Sequence, residues 1–149
     1  MTLRQLYQRH FKGFQRDSQG TSAIEFGLIA PMLLVVVVGL ADVNTMAYGS
    51  SNMQSAVRAG IHYAMVSGPD NVTVAEAQNQ ANAAWTRKPA DGSVTAVKAC
   101  KCAGAGWDCA TFCPDQTRPE TYITVTATGT LVGNYYSRSQ TSTETVRIR

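Results

Sequence analysis

Histidine is nearly missing from this chain: His10 and His62 are the only two in 149 residues. His62 falls beside Tyr63 in a long helical pattern, where a packed or solvent-facing ring is expected rather than a general base. Paired carboxylates, a nucleophile elbow and a phosphate-binding glycine loop are missing too. The chain is therefore not expected to be an enzyme or to carry a cofactor. Its four cysteines form no C-x-x-C pair, which argues against a zinc site and against a dithiol redox motif. Beyond residue 20 no basic stripe with interleaved aromatics occurs, so nucleic acid is not an expected partner. Residues 26–41 hold no charge at all. That absence is the most informative.

The formal net charge is +3, and Arg4, Arg9, Lys12 and Arg16 against Asp17 account for all of it. From Thr21 onward basic and acidic residues balance. A basic segment beside an apolar run is the positive-inside pattern of membrane insertion. Extending the run back to Ala23 gives nineteen residues interrupted only by Glu25. As a helix these cover about 28 Å, enough to cross the hydrocarbon core. A helix buried in a water-soluble core would keep a polar face, and this one has none.

Two other readings use the same residues. A secretory signal peptide cut near Gly39, Leu40 and Ala41 is opposed by Glu25 and by the helical pattern that continues past Ala41. An uncleaved signal anchor would leave the chain whole. A carboxylate inside an apolar run is costly without a partner, so Glu25 reads as functional, with snorkelling to the interface as the plain alternative.

Around the start of the run stand Arg16, Asp17, Ser18, Gln19, Gly20, Thr21, Ser22, Ala23, Ile24, Glu25 and Phe26, then Gly27, Leu28, Ile29, Ala30 and Pro31. An Arg-Asp pair, a Gly, a small polar stretch, Glu-Phe and an apolar run with an early Pro follow in that order. In this the segment resembles the TadE-like family of pseudopilins, which belong to tight-adherence (Flp, type IVc) pilus systems. The resemblance implies that a prepilin peptidase cuts between Gly20 and Thr21, leaving Glu25 as the fifth mature residue with Phe26 next to it. It implies that Glu25 pairs with a new N-terminus during assembly. The implied partners are the peptidase, other pilins and pseudopilins, the inner-membrane pilus assembly platform and membrane lipid, with a role in cell adhesion. The implied location is the bacterial inner membrane, single-pass, with a cytoplasmic N-terminus and periplasmic C-terminus, or the extracellular pilus. The alternative is an uncleaved single-pass envelope protein whose exported domain binds a partner.

The helix does not stop at Ala41. Val43, Met46, Ala47, Met53, Ala56, Val57, Gly60, Ile61, Ala64 and Met65 recur at spacings of three, four and seven, an apolar stripe. Ser67, Gly68 and Pro69 are a stop signal. A helix over 22–67 would be roughly 70 Å long, and Pro31 is expected to loosen or kink it. Thr73 with Glu76 three residues on is a capping box for a second helix ending near Thr86. Its apolar face would be Val74, Ala77, Ala81, Ala84 and Trp85. Turns at Lys88-Pro89 and Asp91-Gly92 then lead into strands over 93–101, 120–132 and 141–148. In the second strand Ile123, Val125, Ala127, Gly129 and Leu131 alternate with Tyr122, Thr124, Thr126, Thr128 and Thr130. The aromatic stretch Gly133, Asn134, Tyr135, Tyr136 and Ser137 is read as a corner at a strand end, with contact to lipid headgroups as the other reading.

The fold class expected is α+β. A long N-terminal transmembrane helix forms a spine for a small pilin-like head of one short helix and a three-stranded antiparallel sheet. By domain, 1–20 is a cytoplasmic leader, 21–69 the helix spine and 70–149 the head. A head of about 80 residues has a small core and needs covalent staples. Cys100, Cys102, Cys109 and Cys113 lie in a loop that would face the periplasm, where disulfides persist. Two disulfides and no metal are expected. The pairing stays open between Cys100–Cys113 with Cys102–Cys109 and the crossed alternative. A C-x-C with two later cysteines also resembles TadE-like members.

Overall fold

The computed structural model describes residues 19–149, with side chains from Ser22 onward. The expected leader thus lies outside the described residues, apart from the backbone of Gln19 and Gly20. Helix α1 spans Gln19–Asn71 and α2 spans Val74–Ala84. Strands β1 (Ser93–Cys102), β2 (Ala105–Trp107), β3 (Glu120–Val132) and β4 (Ser137–Arg147) form one antiparallel sheet in the order β2-β1-β3-β4. The fold class is α+β, with four strands where three were expected.

The chain divides into two compact units, the first ending at Ala41 and the second running Asp42–Arg149. Helical dihedrals run unbroken through Pro31, so the helix is not interrupted there. The break comes at Gly68 instead, whose φ of 72° and ψ of 173° leave the helix. Glycine reaches that left-handed φ without a steric penalty.

Within the second unit, α1 buries Met53, Ala56, Val57, Ile61 and Ala64. These pack with Ala77, Ala81 and Trp85 and with Val94, Ala96, Ile123, Val125 and Ala127 of the sheet. The stripe is shorter than expected, because Val43 and Met65 stay exposed. Helices α1 and α2 approach closely at Gly60, where a Cβ would lie 2.7 Å from the Ala77 carbonyl oxygen. Thr73 caps α2, its hydroxyl accepting the Glu76 N–H at 3.3 Å. Only that half of the capping box forms, since the Glu76 carboxylate accepts from the Gln80 amide at 2.8 Å instead.

Strand β3 has the expected bounds, and its alternation is complete: every second residue from Thr121 to Leu131 is buried. The opposite face carries threonine pairs across strands, Thr124 with Thr145 at 2.8 Å and Thr126 with Thr143 at 3.0 Å. Strand β4 begins four residues before the expected 141, because Ser137 to Gln140 pair with Val132 to Gly129 despite little strand propensity of their own. Strand β2 was not expected. It returns along β1 through Ala103 and Gly104, both at positive φ (51° and 83°). Such a two-residue turn is usually announced by Asn-Gly or Asp-Gly, and alanine gives no such signal.

Candidate functional site

In the first unit the candidate residues sit on one helical stretch. Gly20 and Thr21 fall in the first turns of α1. Thr21 and Glu25 are four residues apart, so they share a helix face with about 6 Å of rise between them. The Glu25 and Phe26 side chains are both exposed. Among the described residues Glu25 has no ion-pair partner. The surrounding apolar side chains point outward all round the helix: Ile24, Leu28, Met32, Leu34, Val35 and Leu40 are each more than half exposed. A helix that is apolar on every side and covered on none is suited to lipid or to packing among like helices, not to water. By length and composition it can cross a membrane, which is compatible with a single-pass membrane protein.

The cysteines are elsewhere, on the head. Cys100 pairs with Cys109 and Cys102 with Cys113, at Cα–Cα distances of 5.2 and 5.7 Å, and no cysteine is free. This is the crossed arrangement. Its cause is the unexpected strand β2, whose Trp107 stands opposite Cys100. Two residues further on, Cys109 is beside Cys100. The loop then turns, and Cys113 returns to Cys102. That return is fastened by the Cys113 N–H donating to the Thr117 carbonyl at 2.8 Å and the Gln116 N–H to the Cys113 carbonyl at 2.8 Å. The Asp115 carboxylate accepts the Thr117 hydroxyl at 2.6 Å. Nearby, Asp70 accepts from Arg149 at 2.8 Å and lies 3.5 Å from Arg118. The Arg149 hydrogen bond first, and the charges of Arg149 and Arg118 after it, hold the Asp70 carboxyl below its usual range against the opposing effect of burial. Among the described residues no group of three or more His, Cys, Asp or Glu is placed to hold a metal ion. His62 is exposed on α1.

One residue escaped sequence reasoning. Asp42 is only 8% exposed, and its carboxylate accepts the Asn134 N–H at 2.7 Å and the Tyr135 N–H at 2.8 Å. Those two bonds, Asn134 first, hold its carboxyl below the ordinary value although burial acts the other way. The tip of the β3–β4 hairpin is thus fastened to the first residue of the second unit. The one available signal was an acidic residue directly after the apolar run.

Residues 20–62 match the family model described as TadE-like protein. The segment that carries the sequence resemblance is therefore TadE-like, while residues 63–149 lie outside the match. No match was found among curated proteins or solved structures.

Proposed function

We propose, on the premise of that TadE-like segment, that the chain is a minor pilin or pseudopilin that takes part in assembling a tight-adherence (type IVc) pilus. A prepilin peptidase removes residues 1–20 by cutting between Gly20 and Thr21. The basic leader stays in the cytoplasm, the apolar part of α1 crosses the inner membrane and the disulfide-bonded head stands in the periplasm. The head acts by contact rather than by catalysis.

The observation that carries the reading is Glu25, a carboxylate in the stretch of α1 from Ala23 to Ala41, whose other side chains are apolar and largely exposed all round the helix. Cleavage creates an α-amine on Thr21, mostly charged at neutral pH because its ordinary pKa is about 8. One turn away the Glu25 carboxylate carries the opposite charge in the same apolar setting. Either alone is expensive there, and pairing them offsets both costs. Between neighbouring subunits such a pair also fixes axial register as helices pack.

The test is Glu25→Ala in the full chain. Membrane fractionation should be unchanged or improved, since a charge leaves the apolar run, while crosslinking to pilus subunits should be lost. Crosslinking and piliation at wild-type levels would sink the pairing and favour the uncleaved anchor whose head binds a partner.

A further inference from the structure

The hairpin between β3 and β4 turns through Gly133, Asn134, Tyr135 and Tyr136, closed by the Gly133 N–H donating to the Tyr136 carbonyl at 2.8 Å. Tyr135 is 82% exposed, Tyr136 59%, and Val132 just before them 68%. Single exposed apolar residues need no explanation, but here three large side chains crowd one tip. Their surroundings are decided by Asp42. It follows Ala41, the last residue of the apolar run, directly in the chain. On the proposed membrane-crossing role of the run, Asp42 would stand where it leaves the bilayer; its carboxylate holds the backbone of Asn134 and Tyr135 within 2.8 Å.

We propose that the β3–β4 tip is an interfacial anchor, with Tyr135 and Tyr136 seated in the lipid headgroup layer of the leaflet where the membrane helix ends. Tyrosine suits that layer because its ring is apolar and its hydroxyl hydrogen-bonds with headgroups and water. Arg138, exposed near the start of β4, has a long stem and a cation able to reach lipid phosphate. A neighbouring subunit is the competing occupant, and continuity with the end of the apolar run favours lipid. Two fixed points, the helix exit and this tip, would set the height of the head above the bilayer before it enters a filament. The inference rests on the membrane-crossing part of the proposed function.

The test uses the full chain carrying fluorotyrosine in nanodiscs of phosphatidylcholine and phosphatidylglycerol, with fluorine resonances assigned by single Tyr→Phe variants. A nitroxide on the lipid headgroup should erase the Tyr135 and Tyr136 signals and spare Tyr63 and Tyr122, while an aqueous paramagnetic chelate should leave the first two largely intact. Asp42→Ala should release the tip and restore both signals in the presence of headgroup nitroxide. Tyr135 and Tyr136 erased by the chelate and untouched by the lipid label would overturn the proposal. Protection from both reagents would assign the tip to a second protein surface and also overturn it. Co-elution of the chain with the discs is read separately: its failure removes the membrane reading itself, whereas co-elution without lipid contact removes only the anchor.

Discussion

Replacing Gly60 by valine tests how tightly the head is locked onto its helix. A Cβ at this position would lie 2.7 Å from the Ala77 carbonyl oxygen, 3.1 Å from the Ala81 Cβ and 3.4 Å from the Val125 Cγ1. Ordinary carbon–oxygen contacts are about 3.3 Å or longer, so α2 must move by roughly 0.6 Å. The obstacle is backbone, not the end of a flexible side chain. Valine would recover only about 0.3 kcal/mol of helix propensity over glycine. Overpacking in a well-filled core costs about 1–3 kcal/mol, and valine adds two methyl groups beyond the clashing Cβ. The net loss should be about 2 kcal/mol, or roughly 10 °C in melting temperature for a domain of this size. Full-length protein in detergent, melted while following fluorescence of the buried Trp85, would measure it. Gly106→Val is the control, because a Cβ there meets nothing within 4 Å. If Gly60→Val melts with wild type, the close packing of α1 on α2 is not what holds the head.

Losing either disulfide should cost at least as much. The bridged residues are 9 and 11 apart in sequence, and closing loops of that size is worth about 2.7 kcal/mol each in the chain-entropy view. Cys102→Ala with Cys113→Ala should therefore lower stability by about 2–3 kcal/mol; in the wild-type protein non-reducing peptide mapping should recover Cys100–Cys109 with Cys102–Cys113, and finding Cys100–Cys113 would contradict the crossed arrangement. Asp42 should make the hairpin acid-sensitive. Its folded-state pKa lies below the ordinary 3.8, so its contribution is complete above that value and fades as pH falls through the lowered one. The stability difference between wild type and Asp42→Asn should be full near neutrality and close on acidification, and a difference that widens at low pH would contradict the direction of the shift.

Much of this architecture was readable from local patterns whose physics is local. The Gly68 stop, the Thr73 cap and the bounds of β3 each depend on one residue's dihedral freedom, one hydroxyl or a period of two. The rest depended on partners distant in sequence. Strand β2 forms because β1 templates it across a turn with Ala103 at positive φ, and the disulfide crossing follows from that strand. The first residues of β4 are strand because β3 is long, not because they favour it. At Asp42 the periodic reading selected Val43, yet the buried group is a carboxylate, because the hairpin backbone ninety residues away brings two N–H donors that require an acceptor. The apolar run was legible because residues 26–41 hold no charge, and Glu25 stands out beside it because a carboxylate is costly there.

The mass and N-terminal sequence of the membrane-bound chain, from cells with and without the prepilin peptidase, bear most directly on the proposed role. A prepilin gives a mature chain beginning at Thr21 in the first case and the intact leader in the second, and Gly20→Val stays uncut in both. A chain that keeps its leader in the presence of the peptidase, or one that begins at Asp42, contradicts the pilin reading.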